Sequence, residues 1–170
     1  MIEIRNRWTG EVLRLVEADS LAGANLSRAS LASADLVRAD LTSADLTGAN
    51  IAGAILDVAN LSRANLYRAN LTRAILTGAN LDGADLSRAK LTDANLTSAD
   101  LDGANLYRAD LYRANLTRAI LTGAKLTDAN LYRANLARAD LTGADLAGAD
   151  LTGAIMDGAN LTEAGKETEE

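Results

Sequence analysis

From Leu21 to Leu161 a large apolar residue stands at every fifth position; all are Leu except Ile51 and Met156. Two residues before each one after the first, from Ala24 to Ala159, stands Ala, and Ala164 extends the series. Most of the remaining positions are polar and variable. Five residues of helix turn through about 500°, so successive Leu would fall about 140° apart and form no apolar stripe. A plain strand also fails. Ala and Leu two apart share one strand face, but the next Ala, three residues on, has the wrong parity. The parity must be reset by a bend once per repeat. A chain that runs straight, bends and runs straight again closes into a polygonal coil. Ala and Leu then point inward, and three positions per repeat point outward. Coils stacked about 4.8 Å apart would pair their backbones with the coils above and below.

The beat A-(N/D)-L-x-x, as in "ADLTGADLAGADLTGA" (139–154), resembles the pentapeptide-repeat family over about 145 of the 170 residues. The resemblance implies an all-β fold, a right-handed quadrilateral parallel β-helix (solenoid) with four pentapeptides per coil. The 29 repeats (21 to 161 in steps of five) then make about seven coils, roughly 34 Å tall.

The first residues break the beat. Ile2 and Ile4 alternate with polar residues, "WTGE" supplies a turn and "VLRLV" is rich in strand formers. The pattern predicts a hairpin cap over 1–19, pairing about 2–7 with 11–16, in which Trp8, Val12, Leu13 and Leu15 are expected to find burial. The repeat helix is expected over 20–163. A polar disordered tail is expected over 164–170. The last coil, with Leu146, Leu151, Met156 and Leu161, would show apolar surface. An isologous homodimer through that C-terminal coil would hide it. The acidity of residues 139–170, eight acids against one base, opposes such a contact.

Charge changes the picture along the chain. The net charge is −6, yet residues 61–138 hold eleven bases against seven acids. With four repeats per coil, residues 20 apart stack. One face then carries an acidic stripe of Asp40, Asp82, Asp100, Asp102, Asp140 and Glu163, with Arg63 as its only base. A second stacks Arg28, Arg68, Arg88 and Arg108 with Tyr67 and Tyr107. A third carries Arg73, Arg113 and Arg133, with Tyr112 stacked under Tyr132. The fourth has Arg38, Arg118 and Arg138, with Ile55, Ile75 and Ile155 where Asn or Asp is usual. Each Tyr is followed by Arg, so Tyr67–Arg68, Tyr107–Arg108, Tyr112–Arg113 and Tyr132–Arg133 form a candidate patch for an anionic partner. The alternative is that these side chains only cover the wall.

Chemistry is sparse. The chain has no Cys and no His, which removes thiolate catalysis, the commonest general base and the commonest transition-metal ligand. "LDGADL" (81–86) and "LDGANL" (101–106) lack the ligand count and Glu of a calcium loop. Asn and Asp beside each Leu are instead expected to bond the backbone at the bend. The matches to N-x-(S/T), as at Asn70 and Asn95, follow from repeat composition. No catalytic residue, metal or cofactor is implied. No apolar run spans a membrane, and "MIEIRNRWTG" lacks a signal-peptide core, so the expected location is the cytoplasm.

The reading that follows is a rigid non-enzymatic scaffold or protein-interaction rod with an unidentified protein partner. The resemblance also offers an alternative, a DNA mimic that binds DNA gyrase and would use the acidic stripe. Against it, the chain has no Phe and a basic middle. Direct nucleic-acid binding is disfavoured by the net negative charge.

Overall fold

The computed structural model describes residues 1–165. Its repeating unit can be read from the fate of five successive N–H groups. Asn105 donates to Ala84 O (2.9 Å) and Leu106 to Lys125 O (2.7 Å), one coil below and one coil above. Arg108 donates to Thr127 O (3.0 Å), again one coil above, and Ala109 closes a tight turn onto Leu106 O (2.9 Å). Tyr107 donates to the side-chain Oδ1 of Asn105 (3.1 Å). Each repeat is therefore a short straight run, Ala–Asn/Asp–Leu, followed by a two-residue corner. All of its backbone donors are satisfied, which a buried wall requires.

The Asn/Asp position forms parallel bridges to the residue 20 further on, from Asn25↔Asp45 to Asp140↔Asn160. The chain thus returns over itself every four repeats, and each coil has four sides. The second corner residue always has positive φ. Gly fills it in some repeats, as at Gly48 (φ 62) and Gly78 (φ 62), and every arginine of the repeats fills it in others, as at Arg68 (φ 55) and Arg133 (φ 57). The signs match a type II turn, whose third residue must be left-handed.

Inside, the inward-facing Ala and Leu from Leu41 to Ala144, with Ile51 in the Leu series, are at most 1% exposed and form one continuous core. Ala suits the straight run because the wall there leaves room for a methyl only; Leu fills the lumen. Burying each Leu contributes about 1.5–3 kcal/mol. Leu146, Leu151 and Met156 are only half-buried, and Leu161 is 44% exposed.

Strands β1 (Ile2–Asn6) and β2 (Val12–Val16) pair as an antiparallel hairpin. β1 also pairs antiparallel with β3 (Ala34–Asp35), a short stretch of the first coil, through Arg5↔Asp35 and Asn6↔Ala34. Ile4 is buried, and Ile2, Leu13 and Val16 pack partly against the core. Trp8 and Leu15 depart from the expectation of burial: they are 75% and 53% exposed. Trp8 sits at the hairpin turn, where its ring is covered by the Arg7 guanidinium at 4.4 Å. Leu15 pairs with Glu3 on the face opposite Ile4. At the other end Ala164 closes the last turn onto Leu161 O (3.0 Å), and Gly165 continues the ladder by donating to Ala144 O (2.9 Å) one coil below. The rest of the expected tail, 166–170, lies outside the described residues.

Candidate interaction surface

The corners decide where the tyrosines and arginines stand. Tyr67–Arg68 and Tyr107–Arg108 occupy one corner column, and Tyr112–Arg113 and Tyr132–Arg133 occupy the next. These two corners bound a single side of the rod, whose centre is the ladder Asn70↔Lys90↔Asp110↔Asn130. Two groups that sequence stacking assigns to separate faces are thus the two edges of one side. All four tyrosines of the chain flank it.

Each tyrosine is fixed at its backbone by the Asn or Asp two residues earlier. Tyr67 donates to Asn65 Oδ1 (3.0 Å), Tyr107 to Asn105 (3.1 Å), Tyr112 to Asp110 (3.2 Å) and Tyr132 to Asn130 (3.1 Å). This is the backbone bonding at the bend that the sequence leads one to expect, and it recurs along the rod. Each ring then carries the guanidinium of its own Arg. The distances are 5.0 Å for Arg68, 4.9 Å for Arg108, 6.0 Å for Arg113 and 5.1 Å for Arg133. The rings of Tyr112 and Tyr132 stack one coil apart, with centroids 5.9 Å apart and planes within 3°.

The acids within this side are already engaged. Asp93 lies 3.2 Å from Arg113 and 3.9 Å from Arg73, and Asp128 lies 3.1 Å from Arg108. Asp110 accepts from the Thr92 hydroxyl (2.9 Å) and the Asn130 amide (2.9 Å). Over residues 67–133 the side and its two corners hold seven bases against three acids. Among the described residues, Arg68, Arg88, Arg133 and Lys90 have no carboxylate within ion-pair distance.

The acidic residues fall differently. Their ladder reads Asp40↔Asn60↔Asn80↔Asp100↔Ile120↔Asp140, so neutral residues separate Asp40 and Asp140 from Asp100. Asp82 and Asp102 occupy first-corner positions one coil apart. Only Asp82, Asp100 and Asp102 form a contiguous group. Asp40 and Asp140 serve the turn: each accepts from the hydroxyl and N–H of Thr42 or Thr142, at 2.6–3.2 Å. The hydroxyl bonds first, then the backbone bonds, hold both carboxyls below the ordinary range.

The family model described as pentapeptide repeats (8 copies) matches four stretches, residues 20–57, 54–93, 89–128 and 129–164. The chain belongs to the pentapeptide-repeat family. The family fold is a right-handed quadrilateral β-helix, and pentapeptide-repeat proteins are generally non-enzymatic scaffolds. The chain is similar to HetL, a pentapeptide-repeat protein involved in heterocyst differentiation regulation in the cyanobacterium Nostoc sp. strain PCC 7120. The two share 39% identity over 85% of this chain and 75% of HetL, with a TM-score of 0.66. It shares the fold of trypsin-treated R167E QnrB1, a plasmid-mediated fluoroquinolone resistance protein. There the identity is 21% over 84% of this chain and 69% of QnrB1, with a TM-score of 0.56. No curated protein matches the chain.

Proposed function

We propose that this pentapeptide-repeat protein is a rigid, non-enzymatic interaction rod of about seven coils, four pentapeptides to a coil, whose walls engage a protein partner. One observation carries the reading: the two inward positions of each repeat, Ala and Leu with Ile51 in one Leu place, fill the core of the rod, so three outward positions in five are free to define surfaces. The similarity to HetL, a protein of differentiation regulation, supports action through binding rather than catalysis. A gyrase-directed DNA mimic is the other reading. It would rely on the acidic ladder, which Asn60, Asn80 and Ile120 interrupt, and the likeness to QnrB1 speaks to fold alone.

The test is retention of proteins from native lysate on the immobilised rod. The proposal expects a specific protein retained at near-stoichiometric amount. Nothing retained above an unrelated control would overturn it. Titrating gyrase supercoiling with the rod separates the alternative: the proposal expects no effect, and inhibition or protection from a topoisomerase poison would replace it.

A further inference from the structure

We propose that the side bounded by the tyrosine corners is the docking surface, and that it receives an acidic segment of a protein partner. The inference rests on the interaction-rod reading and names its surface. Its first support is the charge left after internal pairing. Arg73, Arg108 and Arg113 are ordered by Asp93 and Asp128, while Arg68, Arg88 and Arg133 remain without a carboxylate among the described residues. Lys90 stands between the two edges. Guanidinium forks of this kind take carboxylates bidentately.

Backbone strain is the second support. Arg68, Arg88 and Arg133 occupy left-handed corners (φ 55, 58 and 57) that Gly fills without strain elsewhere in the rod. Arg68 and Arg133 offset part of that cost by laying their guanidinium groups over Tyr67 and Tyr132, whereas Arg88, which follows Ser87, has no ring contact among the described residues. Third, the tyrosines are held at the backbone and capped by guanidinium, so a ligand meets a pre-ordered surface.

The chemistry favours polypeptide over nucleic acid. A single strand would need free aromatic faces and an unbroken basic track. Here one face of each ring carries a guanidinium, Tyr112 and Tyr132 stack on each other, and Asp93, Asp110 and Asp128 interrupt the track. Separate carboxylates along an extended chain can meet Arg68, Arg88 and Arg133 individually and pass over the acids.

The probe is fluorescein-labelled decaglutamate, titrated at low ionic strength by anisotropy against the full chain. The triple variant R68G/R88G/R133G removes the unpaired arginines with a residue that suits the corner. R38G/R118G/R138G makes the same change in net charge on a corner that does not bound this side. The wall variant is expected to bind about tenfold or more weakly, and the control variant within about twofold of the parent. Equal loss in both variants would reduce the effect to net charge and overturn the assignment. Tighter binding of a labelled oligothymidylate would overturn it in favour of nucleic acid, and no binding of decaglutamate by the parent would overturn it outright. A lysate partner retained equally by parent and wall variant would remove the wall while leaving the rod reading intact.

Discussion

At the scale of the residue, the corner sets the terms. Its second position requires φ > 0, and the chain answers with Gly or with a side chain held under strain. Val58 is the most strained of these, since a β-branched residue at φ 58 is a rare conformer. It is 60% exposed and has little packing to lose. Val58→Gly is therefore expected to raise stability by roughly 0.5–1 kcal/mol, after the larger chain entropy of Gly is deducted. A thermal melt checks this; a lower Tm would show that the corner is not left-handed. The Asx position sets a pH dependence. The carboxyls of Asp40, Asp45, Asp140, Asp145 and Asp150 are all held below 3.8, chiefly by threonine hydroxyls and then by backbone N–H groups. Such groups bind fewer protons folded than unfolded. Their stabilisation is present above about pH 4 and is lost as pH falls through their depressed values. Urea midpoints should be flat from pH 7 to about 5 and fall below about 4. Asp40→Asn with Asp140→Asn should flatten that fall, because Asn keeps the acceptor without the titration.

At the scale of the element, the unit is one pentapeptide leaning on its neighbours 20 residues away. A central Leu touches coils on both sides. Leu111→Ala is expected to cost about 2–5 kcal/mol through the cavity it leaves. Leu161→Ala, at a 44% exposed site, should cost less than about 1 kcal/mol. Chemical denaturation of the pair measures the contrast; equal costs would place Leu111 outside the core. Much at this scale was legible in the sequence, because a five-residue apolar period with inverted parity admits few folds. The hairpin strands were legible too, from the alternation in "IEIR" and the β-rich "VLRLV". The exposure of Trp8 and Leu15 was not. Hydrophobicity says that a residue gains by burial, but only the turn geometry and strand parity say whether it obtains it. The corner was hidden by its occupants: Gly marks a left-handed site, but Arg at the same position in other repeats does not.

At the scale of the whole molecule, twenty-residue stacking sorts the surface. Column membership of the tyrosines and arginines was legible by counting. That two columns are the edges of one side was not, because counting does not tell corner from wall. The same blindness pooled ladder and corner acids into one stripe, which the bridges divide. The fold is a tube whose N–H groups are used with a period of five. Residue-resolved amide hydrogen exchange over 45–145, where every repeat has a coil below it, tests this most directly. Four N–H groups in each repeat bond backbone oxygens, and the first-corner N–H bonds only an exposed or half-exposed Asn or Asp side chain where it is paired at all. The expected result is slow exchange broken at every fifth residue, as at Thr72, Tyr107 and Thr117. Uniform protection, or a protection period of three to four residues, would contradict the account.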